Sequence, residues 1–580
     1  MYGKKSKPCR VFKYGCLSPL TNELEINDEM FRRNKYWNKL VEIERLYRQK
    51  YLLITLVPGD IEATHIQAEI GIWQKEIKAK RQQNRTSDVD VSNLKEKIKK
   101  AKAELKKLWE KNKAERKVLI KLKKSELVKA EQERRELQKE ARKKSGLHWC
   151  NYDDVEKSYE VARKEAMKKG KYLRFHRFDG TGKLSVRFKD GIPVQDVFAE
   201  GSNRLFYIAP VDLGAWNDPV RANRRKLSQT TVKIRVQSDE KRKPVWSEFP
   251  MVMHRPLPYD GEIRGASIVC EKVGKKYRYS LDVTVAFSDN YIKERKEHGR
   301  EALITRPSVG INIGWRLKDN DELRIAYWVD ETGNHGELKL DSYTVSQFQK
   351  INDLRSIRDV HFDSVKDALK QFITKNTVPY WLKESTKTLH KWRSTERMVN
   401  LISDWHDNRF AGDAGIINIL EQWRKRENHL YNWESNLRDQ IIKRRREIYR
   451  LFAKKISQKY GQIFIEDFDI SNVAKHLEPE DGPQLSIPPR RQRVIAATSI
   501  LRDAIENAVK KEGLAYTKSD AKYITLECHL CGYTEDWAAA NSIERKCPNC
   551  KEVWDQDYNA AFLNLSRNIG AKPLVLNTFM

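Results

Sequence analysis

Hydrophobic and polar positions follow two rhythms along most of this chain. From about residue 22 to 169 they recur at helical spacing. Leu94, Ile98, Ala101, Leu105 and Leu108 step by fours and threes, followed by Val118, Leu122 and Leu137 amid dense Lys and Glu. That spacing predicts an antiparallel helical hairpin or coiled coil. Ahead of it, Arg10-Val11-Phe12-Lys13-Tyr14 alternates briefly before a Ser18-Pro19 turn. From about Lys171 to Phe287 the period falls to two, in Tyr172–Phe175, Lys183–Phe188, Thr231–Val236 and Tyr277–Val285, with Gly and Pro between. Short strands with Arg or Lys on the alternate face predict a small barrel with one basic side.

Beyond residue 300 one stretch stands apart: Ser308-Val309-Gly310-Ile311-Asn312-Ile313-Gly314-Trp315-Arg316, a strand with a single polar side chain in its apolar middle. A second strand, Arg324–Val329, is expected to lead into a long helical region reaching about Tyr460. Near its end Leu437, Ile441, Ile448, Phe452 and Ile456 form an apolar stripe that packs on a sheet, while Arg444, Arg445, Arg446 and Arg450 crowd the rest as candidate phosphate contacts. Gln462–Asp467 reads as a buried strand ending in acids. A Pro-rich loop from Gly482 to Arg491 and a helix around Ala496–Val509 follow.

Composition narrows the partners. With 580 residues the chain can fold as several domains. The 112 Lys+Arg against 81 Asp+Glu leave a charge of +31, and 39 % hydrophobic content argues against wholesale disorder. A folded, strongly basic protein meets a polyanion, because Lys and Arg displace counterions condensed on phosphates. The Lys-rich helices then have two readings, a solvated face or a surface lying along a nucleic-acid backbone. No run of about 18 apolar residues suggests a membrane span, and the N-terminal residues carry no apolar signal core. A cytoplasmic protein is expected.

Four of eight cysteines are scattered. The others form Cys528-x2-Cys531 and Cys547-x2-Cys550, fifteen residues apart. Two such knuckles turn four thiolates into a tetrahedron, which is the pattern of a structural zinc ribbon with no open coordination position. His529, inside the first knuckle, is expected at the surface rather than on the metal. Asn312, Glu466 and Asp557 form the second constellation. In two-metal phosphodiester cleavage, carboxylates hold two Mg²⁺ about 4 Å apart. An acid mid-strand, one ending a later central strand and one opening a late helix can converge for this purpose. Here the first is Asn.

The ordered set of strand, strand with Glu466, zinc ribbon and Asp557-Tyr558-Asn559-Ala560-Ala561 resembles the split RuvC domain of TnpB-like and type V CRISPR effectors. With Asn in place of the first acid, the chain is most similar to their compact M subtype. That resemblance implies a multidomain α+β, bilobed effector: a helical recognition lobe, an oligonucleotide-binding-type wedge β-barrel, and a ribonuclease-H-like RuvC α/β domain carrying a zinc ribbon. It implies wedge segments at 1–20 and 171–300, a helical recognition domain at 21–170, RuvC segments at 301–340, 431–520 and 557–580, a helical insertion at 341–430, and a zinc-ribbon target-nucleic-acid-binding domain at 521–556. It further implies a prokaryotic, monomeric ribonucleoprotein that uses a guide RNA (crRNA) to bind double-stranded DNA bearing a short flanking motif, and that silences transcription without evident cutting.

Mg²⁺ prefers anionic oxygens, so Asn312 predicts weak or absent metal pairing. Asp319 or Asp321, just past the strand, are the alternative ligands. Asn312 also admits the plain reading of a satisfied interior amide. Arg444, Arg446, Arg450, Arg490, Arg491 and Arg493 are the nucleic-acid candidates from charge and placement. Rival functions are a metal-dependent guided DNA nuclease, a guide-RNA-processing ribonuclease and a transposon-associated target selector.

Overall fold

Period-two alternation does produce sheets, and the helical stripes pack on them or on one another. The computed structural model describes residues 7–17, 20–82, 88–239, 241, 243–467, 487–520, 524–535 and 543–570. The chain divides into two units, Met1–Glu271 with Tyr277–Phe287, and Lys272–Lys276 with Ser288–Met580.

In the first unit β1 (Cys9–Gly15), β2 (Gly182–Pro193), β3 (Phe206–Ile208), β4 (Gln229–Ser238), β5 (Pro244–Val252), β6 (Glu262–Val273) and β7 (Lys276–Ala286) form two antiparallel sheets, ordered β1-β7-β6-β2 and β3-β4-β5. Alternate residues turn into one shared core, where Phe12, Tyr14, Val186, Val232, Ile234, Phe249, Ile268 and Val283 are buried. Tyr172–Phe175, expected as a strand, joins neither sheet. Side chains of α1 (Glu23–Ile54) take carbonyls there instead: Arg45 donates to Leu173 O at 3.4 Å, and Trp37 donates to Arg174 O at 3.2 Å, while Arg48 donates to Lys171 O just before the stretch. Backbone satisfied by a helix needs no ladder.

After α1 come α2 (Pro58–Gln82), α3 (Asp88–Leu122), α4 (Lys124–Lys144) and α5 (Trp149–Lys168), with a short α6 (Arg221–Leu227) before β4. α2 and α3 make the expected hairpin, Ala63, Ile66, Ile70 and Ile77 packing with Val91, Leu94, Ile98, Ala101 and Leu105. The stripe does not run on, for Val118 and Leu122 are 59 and 74 % exposed. Asp60 in the first turn of α2 already pairs with Arg116, so α2 has ended before those positions are reached.

The second unit holds α7 (Asp289–Thr305), β8 (Ser308–Leu317), β9 (Leu323–Asp330), β10 (His335–Leu340), α8 (Ser342–Lys375), α9 (Tyr380–Thr386), α10 (Thr395–Asp407) and α11 (Ala414–Lys459). There follow β11 (Gln462–Glu466), α12 (Ile487–Ala496), α13 (Thr498–Glu512), β12 (Ala515–Ser519), β13 (Glu544–Lys546), β14 (Val553–Asp555) and α14 (Gln556–Ile569). Its main sheet runs β10-β9-β8-β11-β12, with β8 to β10 antiparallel and β11 parallel to both β8 and β12. Tyr449, Ala453 and Ile456 of α11 share one core with Val309, Ile311, Ile463 and Ile465 of this sheet, and Ile448 and Phe452 pack against it. α8, α9, α10 and the first half of α11 enclose a separate core around Trp405 and Trp423.

Two expectations fail here. Helix does not follow Val329 directly, because β10 intervenes as a third strand; only Leu338 and Leu340 of its six residues are buried, too little to mark a pattern. α12 begins at Ile487, inside the expected Pro-rich loop. Prolines early in a helix lack only N–H groups that a helix start leaves unused. Residues 482–486 of that loop lie outside the described residues. No described helix is long and apolar enough to cross a membrane.

A buried acid organises the helices of the first unit. Glu44, 1 % exposed, accepts from Arg48 at 3.2 Å, Tyr159 Oη at 3.0 Å and Arg163 at 2.7 Å. Its removal would leave two guanidinium groups without their shared anion. Glu44→Ala is expected to cost ~3 to 5 kcal/mol in denaturant unfolding, against under about 0.5 kcal/mol for the exposed Glu42→Ala.

Candidate functional site

The parallel register of β8 and β11 builds the site. Ile465 lies beside Ile311, so the next residue, Glu466, falls level with Asn312. Glu466 is 3 % exposed, and its carboxylate accepts from Ile313 N at 3.2 Å and from Arg502 of α13 at 2.6 Å. Arg502 also donates to Glu466 O at 2.6 Å. Asn564 of α14 donates to Glu466 Oε2 at 3.4 Å and to Ile311 O at 3.0 Å. Burial pushes the Glu466 carboxyl up to about 7, with Arg502 opposing.

Asp557 opens α14 and completes the cluster. Asn312 Nδ2 donates to its Oδ1 at 3.3 Å. Arg324 of β9 donates to Asp557 at 2.9 Å and to Asp555 at 2.8 Å, and also pairs with Glu337. Arg316 Nε stands 3.7 Å from Asp557. Burial raises the Asp557 pKa, against the pull of Arg316 and Arg324. Asn312, Glu466 and Asp557 thus do come together, with Asn312 partly buried and hydrogen-bonded.

Each residue of Asp557-Tyr558-Asn559-Ala560-Ala561 has a distinct task. Asn559, wholly buried, accepts from His529 N at 2.8 Å and donates to Glu527 O at 2.8 Å, fastening the first cysteine knuckle to α14. Ala561 packs with Tyr327 and Val329 of β9, and a Cβ on Gly310 would stand 2.3 Å from Ala561 O, while Ala560 packs with Ile524. His529 is therefore not at the surface as expected. It is 8 % exposed, held by Asn559 and packed against Tyr558 and Phe562.

The Sγ atoms of Cys528, Cys531, Cys547 and Cys550 lie within 4.8 Å of one another, with Cys528 to Cys550 at 3.7 Å and Cys531 to Cys547 at 3.6 Å. Tetrahedral Zn–S bonds of about 2.3 Å set sulfur separations of ~3.8 Å. The four thiols can hold a metal ion such as zinc, and they leave it no open position. The carboxylate cluster fits a pair of Mg²⁺ poorly, since its oxygens already face protein donors and Asn312 presents an amide N–H to Asp557. Asp319 and Asp321 sit exposed at the β8–β9 turn, beyond roughly 17 Å of strand from Asn312.

The arginine candidates divide. Arg444 is tied to Asp341 at 2.8 Å and Thr344 at 3.0 Å. Arg445 is buried and donates to the carbonyls of Val494 and Ile495, so it closes the end of α12 rather than facing a ligand. Arg446, Arg450 and Arg491 are exposed and Arg493 is partly so, while the Arg490 side chain lies outside the described residues. Sequence reasoning missed Arg324, Arg502, Asp555 and Asn564. Arg502 lies 36 residues from Glu466, Arg324 233 from Asp557 and Asn564 253 from Ile311, and no local spacing marks such pairs.

Residues 499–564 match the family model for the Cas12f1-like TNB domain. That stretch holds β12, the four-thiol centre and Asp557, so this part of the chain is similar to a Cas12-class domain. A "CRISPR-associated DNA-binding protein Cas12m" of Thermanaerosceptrum fracticalcis is 41 % identical over 97 % of this chain and 94 % of its own length. Its namesake in Allomeiothermus silvanus is 31 % identical over 97 % of each. The chain belongs to the Cas12m family. Among solved structures, a cryo-EM Cas12f1–sgRNA–target DNA complex aligns over 97 % of this chain and 99 % of that one, at 12 % identity and a TM-score of only 0.35.

Metal analysis of the purified chain is expected to find about one zinc ion, lost in Cys547→Ser together with cooperative melting of the ribbon. Four free thiols and no zinc would contradict the four-thiol reading.

Proposed function

We propose that this chain is a CRISPR RNA-guided protein that binds double-stranded DNA and blocks transcription without efficient cleavage. Asn312 carries the reading. At the position where a two-metal nuclease needs its first acid, it offers a neutral amide whose N–H is turned to Asp557. The relatives' description as DNA-binding proteins supports the first half of the proposal, and the +31 charge supports a polyanionic partner.

In this reading pairing with the guide RNA reads the sequence, while the protein reads a short flanking duplex motif and the heteroduplex shape. The helical segment of the first unit serves as recognition lobe and its two sheets as the wedge barrel. The second unit is a RuvC-type domain with a degenerate site, and zinc is structural. A monomeric ribonucleoprotein in a prokaryotic cytoplasm follows, with the bound R-loop as the obstacle to polymerase. Glu466 and Asp557 remain acids, which favours one second reading, residual processing of precursor guide RNA.

The protein purified from its own host, or co-expressed with its CRISPR array, is expected to carry a discrete small RNA. That RNA should be required for a gel shift of matching duplex DNA. A preparation free of RNA, or a shift indifferent to it, would overturn the proposal. Incubation with precursor RNA decides the second reading.

A further inference from the structure

Charges at the site balance without any metal. Glu322, Glu337, Glu466, Asp555 and Asp557 are each paired with one or more of Arg316, Lys318, Arg324, Lys339 and Arg502, five acids against five cations. Two divalent cations would bring four further positive charges to a cluster with no anionic excess. Position also matters. Arg324, 5 % exposed at its side chain, bridges Asp555, Asp557 and Glu337 from the floor of the site. Arg502 holds the Glu466 carboxylate and main-chain carbonyl with one planar fork, both at 2.6 Å. The other Glu466 oxygen faces Asn564 and Ile313 N. A metal at Glu466 Oε1 would have to displace the Arg502 N–H that donates to it.

We infer that Arg502 and Arg324 are built-in counter-ions that stand where divalent cations would bind, so that an acid at position 312 alone does not create a metal site. The inference shares with the proposed function the reading of this cluster as a degenerate metal site, but it does not depend on guide or target binding. It assigns the loss of metal binding to three residues rather than one. Asn312 removes an anionic ligand, Arg502 occupies Glu466, and Arg324 occupies Asp557. In the wild type the amide N–H of Asn312 extends the same arrangement, giving Asp557 one more donor. An aspartate there would bring a second carboxylate near Asp557, and the adjacent Arg316 and Arg324 would neutralise it before a metal did.

The test uses the full-length, zinc-loaded chain freed of nucleic acid by high salt, because RNA itself binds Mn²⁺. Mn²⁺ is titrated and its free form read by electron paramagnetic resonance. Wild type and Asn312→Asp are expected to bind with the same weak affinity, within about twofold. Asn312→Asp combined with Arg324→Gln and Arg502→Gln is expected to gain a Mn²⁺ site at least tenfold tighter, and adding Glu466→Gln should abolish it. Circular dichroism checks folding, and Arg502→Met replaces Arg502→Gln if the latter does not fold. A tight site in Asn312→Asp alone would overturn the inference, as would no gain in the folded triple variant with either replacement. Neither outcome touches guide-dependent DNA binding, and absence of a guide RNA would not alter the Mn²⁺ result.

Discussion

The contact of α14 with the bare backbone of Gly310 is the constraint on which the site depends. Ala561 O stands where any Cβ on Gly310 would be, so only glycine lets the helix come this close. Close packing of that kind fixes positions to a few tenths of an ångström. From this one seat α14 presents Asp557 to Asn312, Asn564 to Glu466 and Ile311 O, and Asn559 to the first cysteine knuckle. A strand, a late helix and a small ribbon are thereby held in one geometry. The ribbon needs this help, since among its described residues only Cys528, Cys547 and Trp554, with Leu530 packed against them, form a buried apolar cluster.

Within that frame electrostatics decides what the site can do. A carboxylate cluster built for metal keeps anionic oxygens in excess, because the cations supply the missing charge. Here the excess is absent. Arginine is suited to such a place: it stays charged at any working pH, and its fork satisfies two oxygens at once. A structural ion-pair network and a metal site can use the same acids but not at the same time. Raised pKa values at Glu466 and Asp557 are therefore no sign of catalysis by themselves, as ion-pair networks perturb pKa values too. Their first cause in both is burial.

Much of this was legible in the sequence where periodicity was strong or spacing specific. The strands around Asn312 and Glu466, the α2–α3 stripe and the two cysteine pairs are of this sort, and so is Asp557, marked by the residues after it. Weakly patterned or context-dependent features were not. β10 buries two side chains and looks like loop; Tyr172–Phe175 alternates like a strand yet spends carbonyls on α1; Val118 and Leu122 continue a helical stripe past the end of the helix that would cover them. His529 was hidden for another reason, since its burial depends on Asn559, thirty residues away. Arg324 and Arg502 were the costliest omissions. An arginine in a strand or helix reads as a surface residue, and only the fold shows that its partner is a buried acid.

A guided binder and a guided nuclease differ in what happens to a target once it is bound. With guide RNA, Mg²⁺ and Mn²⁺ present, wild-type protein is predicted to shift a supercoiled plasmid carrying the matching site and flanking motif. Deproteinised afterwards, that plasmid should still be supercoiled. Rapid conversion to nicked or linear product would contradict binding without cleavage.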